Sequence, residues 1–303
     1  MNQNIHIIGA ATTFGQPRLG VDLGPDAIRY AGLDKALYSL GYTVTDAGDI
    51  RSKYRVNASN HSVKNETNLL NYKEVMDFSL ELAAEVDNTV SSGHFPLILG
   101  GDHSLSIGSL AGISKHYEDL GVIWYDAHGD LNDSRTSPSG NIHGMPLGIS
   151  CGVGDEDLVN LYNRGIKVKP QNVVLIGMRD LDEGEKLYIK ENDILTFTMG
   201  DIRAKGIENV MKEALVHLEG RTDGIHLSVD VDALDPLETP GTGTPVDGGL
   251  SLSESQLAME MLNESERITS MDLVEVNPLL DEKNKTAEKA VKIAESLFGK
   301  KQL

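Results

Sequence analysis

An α/β fold, with an eight-stranded and mostly parallel sheet wrapped by helices, is predicted for this chain by three observations. Short apolar runs alternate with helix-length segments from end to end. Several runs are nearly unbroken in Val, Ile and Leu, the pattern of strands covered on both faces. No internal repeat or low-complexity linker interrupts them, so residues 1–303 read as one domain. A chain of 303 residues buries most of its apolar surface without disulfide help.

In chain order, strands are predicted at Ile5–Gly9, Thr43–Asp46, Pro96–Leu99, Gly121–Tyr125, Asn172–Ile176, Ile194–Thr198, Gly224–Val229 and Ile268–Val274. Between them, Asp26–Leu40 has apolar residues at helical spacing, and Tyr72–Val90 carries Met76, Leu80, Ala83 and Val86 on one side. Asn284–Phe298 is a closing helix followed by the tail GKKQL. Arg51–Asn68 is polar and Asn-rich, and reads as a surface loop. Eight strands suit a closed barrel or an open doubly wound sheet, and periodicity does not choose between them. In both, chemistry belongs at the carboxyl ends of the strands.

Composition narrows the function. There are 46 acidic against 27 basic residues, a formal net charge of −19, which argues against nucleic acid or an anionic membrane as partner. Solubility accounts for most of that excess. The single cysteine, Cys151, can form no intramolecular disulfide, and a Cys-rich zinc or iron–sulfur site is excluded. The opening MNQNIHIIGAATTFGQ lacks the basic start of a signal peptide, and no apolar stretch approaches the roughly 20 residues of a membrane span. A cytoplasmic location is expected.

Four motifs put chemistry at strand ends. LILGGDHS places His103 just past a strand, behind two glycines that permit a sharp turn. GVIWYDAHGDLN places Asp126, His128 and Asp130 after the next, HLSVDVDALDP places Asp230 and Asp232 after another, and SMDLVEVNP ends on Glu275. In extended chain, alternate residues point the same way, so each set can converge on one face. Carboxylates this dense need compensation if buried, and metal ions supply it. Four Asp and two His without a thiolate suit Mn²⁺, Fe²⁺, Co²⁺ or Ni²⁺. Two such ions balance four carboxylates and leave room for a bridging hydroxide as nucleophile. Each motif alone could be turn chemistry or a helix cap; four at strand ends of one chain point to a site.

The remaining histidines divide. His6, His61, His94, His116 and His217 lack acidic or glycine-rich context and read as surface or packing residues. His226 lies about 13 Å back along its strand from the acids, at roughly 3.3 Å per residue, and reads as a hydrogen-bonded core histidine. His143, in SPSGNIHGMPL, follows the first acidic cluster and suits proton transfer. Cys151 reads as a small buried hydrophobe.

Taken together, GGDHS, WYDAHGDLN, SPSGNIHGMPL, GMRDLDEGE, SVDVDALDPLETPGTGTP and SMDLVEVNP resemble the ureohydrolase family and, within it, the bacterial-type arginases. The resemblance spans nearly the whole chain, from FGQPRLGVDLGPDAIRYAGL onward. It implies an open three-layer α-β-α sandwich and a binuclear manganese cluster, with hydrolysis of L-arginine to L-ornithine and urea. The matching ligands are His103, Asp126, His128, Asp130, Asp230 and Asp232, with Co²⁺ or Ni²⁺ as alternative metals. His143 matches the proton-transfer residue, Glu275 the group that holds the guanidinium, and Asp130 a catalytic acceptor as well as a ligand. Asn132, Ser137, Ser139 and Asn141 match residues around the α-carboxylate, Asp182 and Glu185 those serving the α-amino group, and Thr244 a further substrate loop. A homo-oligomer, trimer or hexamer, is implied too.

Agmatinases share the metal motifs, but agmatine has no α-carboxylate for the DLN…SPSGN loop to bind, so the arginine reading is preferred. One departure stands out: Asp133-Ser134-Arg135 replaces a Pro-containing turn, and its charge pair either faces solvent or adjusts substrate affinity. A metallophosphoesterase would need a GNH[ED] element, which GNIHG is not. A non-catalytic metal-binding relative would usually have lost a ligand, and none is missing.

Overall fold

A computed structural model describes residues 2–54 and 64–302. Along the chain run β1 (Asn4–Ala11), α1 (Gly24–Tyr30), α2 (Leu33–Ser39), β2 (Thr43–Arg51), α3 (Tyr72–Ser91), β3 (Phe95–Gly100), α4 (Ser106–Ile113) and β4 (Leu120–Tyr125). The second half adds α5 (Pro146–Ser150), α6 (Glu156–Val159), β5 (Val173–Met178), α7 (Glu183–Glu191), β6 (Leu195–Thr198), α8 (Met199–Lys205), α9 (Ile207–Leu218), β7 (Gly224–Asp230), α10 (Leu252–Ser265), β8 (Ile268–Val274) and α11 (Lys285–Leu297). Every predicted strand is present, shifted at its ends by a few residues at most in all but β2, which runs on to Arg51. His61 and much of the Arg51–Asn68 loop lie outside the described residues.

All eight strands form one sheet in the order β2-β1-β3-β8-β7-β4-β5-β6, and every pairing is parallel. The sheet is open, with β2 and β6 at its edges, which decides against the barrel. Alternation along the central strands sorts their side chains into two layers. Leu97, Leu99, Ile123 and Tyr125 pack with α1, α2 and α8–α11, whereas Ile98, Val122 and Trp124 pack with α3–α5 and α7. The six inner strands are covered on both faces, as apolar runs require, whereas the edge strands β2 and β6 are only partly covered. The predicted helix Asp26–Leu40 is two helices, because Gly32 takes a left-handed φ of 93° that ends one and starts the other.

The strand order positions the site. β3, β8, β7 and β4, the four strands whose carboxyl ends carry the motifs, lie side by side at the centre. Consecutive strands β3 and β4 are separated in the sheet by β8 and β7, which the chain adds last after turning back from the β6 edge. Register completes the convergence: Tyr125 pairs with Val229, bringing Asp126 beside Asp230, and the Glu275 N–H donates to Gly101 O (3.0 Å).

Gly101 is required by space rather than by its dihedral angles. It does not adopt positive φ, but a Cβ there would lie 2.3 Å from Thr12 O and 2.7 Å from Ala10 O. The β3 exit therefore packs backbone to backbone against the end of β1. Gly101→Ala should destabilise the protein by roughly 1–3 kcal/mol through overpacking, read as a lower urea-unfolding midpoint. An unchanged midpoint would mean that β1 can back away without cost.

Candidate metal centre and active-site cleft

His103 leaves β3 on a single 3-10 turn whose N-cap is Asp102, which accepts from Ser104 N (3.0 Å) and Gly15 N (3.0 Å). The imidazole stacks on Trp124 with ring centroids 4.2 Å apart, and its Nε2 lies 2.8 Å from Ser228 Oγ. These two contacts aim Nδ1 at three carboxylates: Asp126 (3.1 Å), Asp130 (3.0 Å) and Asp230 (3.3 Å). A second imidazole, His128, presents Nδ1 to Asp232 (3.2 Å) and Asp126 (3.4 Å). Two groups able to hold a metal ion result, His103–Asp126–Asp230 and Asp126–His128–Asp232, with Asp126 common to both.

Convergence occurs, but not through strand parity. β4 ends at Tyr125, and residues 126–130 form a bend in which Asp130 takes a left-handed φ of 51°. The acids lock that bend themselves: Asp126 accepts from His128 N (2.7 Å) and Asp232 from Ala127 N (3.3 Å). On the other arm, Asp230 accepts from Asp232 N (2.7 Å), closing a 3-10 turn at Val231–Ala233.

The geometry fits a cation between these groups. His103 Nδ1 and Asp126 Oδ2 are buried and make no hydrogen bond of good geometry although they lie 3.1 Å apart. Both are aimed at a common point rather than at each other. Burial raises the Asp130, Asp230 and Asp232 carboxyls, and neighbouring carboxylates raise them further. Burial opposes the charged forms of His103 and His128 as well, yet the surrounding carboxylates hold both imidazoles well above the ordinary range. Asp126, between the two rings, is held low against its own burial. A buried site in which four carboxylates meet two imidazoles carries the excess negative charge that divalent ions neutralise.

Above this lies a narrow cleft of about 150 Å³. Asn132, Ser137, Ser139, Asn141, Asp182, Glu185 and Thr244 line it, with His143 at its side. Glu275, strained at a left-handed φ of 63°, accepts from His103 N (2.9 Å) through Oε1, which also lies 3.1 Å from His143 Nδ1. Its Oε2 has no hydrogen-bond partner among the described residues. Burial opposes protonation of His143, but Glu275 raises its pKa on balance.

Several predicted substrate contacts have structural partners already, Glu185 and Thr244 among them. Glu185 accepts from Leu131 N (3.0 Å) and Asp182 N (2.8 Å), capping α7, and burial pushes its carboxyl up to about 7. Thr244 Oγ1 donates to Asp232 (3.1 Å). The Asp133–Arg135 departure is self-contained: Asp133 accepts from Arg135 N, Nε and Nη2 (2.8, 3.0 and 2.6 Å), while the Arg135 side chain is 84% exposed. That pair closes a turn, with Asp133 buried and the Arg135 side chain out in solvent. Sequence reasoning passed over Asp180, which lines the cleft 3.9 Å from His128 Nε2; it stood in GMRDLDEGE without a spacing to mark it. His226 is a core histidine, bonded to Ser270 Oγ (2.9 Å), and Cys151 is buried with its thiol pushed up to about 12.

An open parallel sheet with two acid–imidazole groups at its central carboxyl ends is the architecture of a metal-dependent hydrolase. The chain belongs to the Arginase family, whose sequence model matches residues 3–299. It is 53% identical over 303 residues to the arginase of Bacillus subtilis (strain 168), covering 100% of both chains. The crystal structure of Bacillus caldovelox arginase at pH 5.6 superposes with a TM-score of 0.94 at 51% identity, again over 100% of both. Entamoeba histolytica arginase in complex with L-ornithine superposes at 0.90, with 32% identity over 98% of this chain and 99% of that one. Among the described residues, no helix is long and apolar enough to cross a membrane.

His128→Asn and Asp232→Ala should each remove one of two bound metal ions per chain, measured by elemental analysis after gel filtration. Two ions retained in both variants would show that the second group is not a site.

Proposed function

We propose that this chain hydrolyses L-arginine to L-ornithine and urea, with two Mn²⁺ per chain held by His103, Asp126, His128, Asp130, Asp230 and Asp232. Co²⁺ or Ni²⁺ suits the same ligands. The observation that carries the reading is the cleft's polarity. A carboxylate and an imidazole stand beside the metal-ligating groups at one end, and a loop of hydroxyls and amides stands at the rim. A ligand with a cationic guanidinium at one end and an amino-acid backbone at the other matches both. The arginase relatives support the same substrate. We take residues 1–303 to be one catalytic domain that acts in the cytoplasm as a trimer or hexamer. Exposed Leu237 and Leu279 offer apolar surface for such an assembly.

Bound ions would supply an attacking water of lowered pKa and neutralise the charge that builds as it adds to the guanidinium carbon. The chain's own residues do the rest. Glu275 holds the guanidinium through charge-assisted hydrogen bonds, its carboxylate oriented beforehand by the His103 N–H. Asp130 accepts a hydrogen bond from the attacking water. His143, whose charged form Glu275 favours, delivers a proton to the leaving ornithine nitrogen. At the rim, Asn132, Ser137, Ser139 and Asn141 receive the α-carboxylate, and Asp182 with Glu185 the α-amino group. Asn132 donates to Asp182 (2.9 Å), which ties those two subsites together. Thr244 acts through Asp232.

Urea release from L-arginine and agmatine, compared after metal removal and Mn²⁺ add-back, tests this reading. Arginine should be the better substrate, and activity should vanish without metal. Agmatine preferred would overturn the substrate assignment. Glu275→Ala and His143→Ala should retain metal and lose roughly 10²–10⁴-fold in turnover. Near-normal turnover in Glu275→Ala would refute the guanidinium assignment. Ser139→Ala should raise KM for arginine more than for agmatine; equal effects would contradict the α-carboxylate role.

A further inference from the structure

Behind His103, away from the cleft, lies a second polar cluster that the reaction does not use. Asp272 of β8 is fully buried, and its Oδ2 accepts from Ser106 Oγ (2.7 Å) and Ser109 Oγ (2.5 Å), both on α4. The same oxygen lies 3.3 Å from Nε2 of His226, which is also fully buried. Three side chains, one from β7 and two from α4, thus meet on one carboxylate oxygen of β8 between sheet and helix. Despite its burial, the Asp272 carboxyl stays below the ordinary range, because His226 and the two hydroxyls favour its charged form.

The cluster is mechanically continuous with His103. Ser106 starts α4 directly after the His103–Leu105 turn, and its backbone N–H caps that turn through His103 O. Across the sheet, Asp272 pairs in register with Ser228, the residue whose hydroxyl meets His103 Nε2. A shift of α4 off the sheet would therefore carry the His103 backbone with it, while the ring stayed tied to Ser228 and Trp124.

We propose that Asp272 is a positioning residue for the His103–Asp126–Asp230 site: by fastening the first turns of α4 to the sheet it fixes where the His103 imidazole stands, and so sets the metal affinity of that site. The second site is outside its reach, because His128 and Asp232 sit on the bends after β4 and β7, where Asp232 accepts from Ala127 N and Thr244 Oγ1 and the His128 N–H donates to Asp126. Contacts that orient metal ligands from behind typically change affinity by roughly 10–100-fold when removed. The inference rests on the two-ion reading above.

The test is Mn²⁺ titration of the metal-stripped full chain, followed by electron paramagnetic resonance of free and bound ion. Wild type should bind two ions and give the signal of a coupled pair. Asp272→Asn should weaken one ion by roughly 10–100-fold and leave the other within about threefold, so that an uncoupled single-ion signal appears at intermediate Mn²⁺. Ser109→Ala should shift the same ion by less, and it carries the test if Asp272→Asn does not fold. Leu262→Ala, which opens a cavity in the opposite core layer, should lower stability with both affinities kept. If Asp272→Asn or Ser109→Ala left both affinities unchanged, or weakened both equally, Asp272 would be a structural ion partner only. Fewer than two ions in the wild type would instead overturn the site reading itself.

Discussion

Four carboxylates with almost no exposed surface, Asp126, Asp130, Asp230 and Asp232, meet at the ends of two neighbouring strands, and the architecture around them answers their mutual repulsion. An isolated buried carboxylate is costly, and a cluster more so, unless positive charge and hydrogen bonds compensate it. The protein supplies both. His103 and His128 approach from opposite sides of Asp126, and backbone amides of Ala127, His128 and Asp232 donate inward. The two imidazoles favour the charged form of Asp126, while burial and the neighbouring carboxylates push the outer three carboxyls up. Such a cluster is stable when cations enter it, which couples metal binding to the folded state.

Much of this was legible in the sequence because its signals are local. Strands covered on both faces announce themselves as apolar runs, and most of the eight are legible that way, the edge strand β2 being the clearest exception. Acids and histidines immediately after those runs marked the site. What periodicity did not resolve was long-range: whether the sheet closes, and which strands are neighbours. The open sheet came from resemblance, and the adjacency of β3, β8, β7 and β4 is a property of the crossover pattern alone.

Other misreadings have specific physical causes. Asp126, His128 and Asp130 were expected to share a face by strand alternation, yet they converge on a bend because side-chain acceptors outcompete the ladder for their amides. Gly100 and Gly101 looked like turn residues, but Gly101 admits β1's backbone instead. Gly32 inside a helical pattern was a break, not a tolerated glycine. The Asp133–Arg135 pair could not be placed from sequence, since facing the ligand and folding back on itself differ only in side-chain direction. Asp180, Ser228 and Asp272 are invisible in the sequence for another reason: each reaches the site's surroundings only through neighbours in space.

The proposed chemistry depends on two ions that share Asp126. Crystals of the chain grown with Mn²⁺, with diffraction recorded on either side of the manganese absorption edge, would test it most directly. Two anomalous peaks are predicted, one against His103, Asp126 and Asp230 and the other against Asp126, His128 and Asp232. A single peak, or peaks that do not share Asp126, would contradict it.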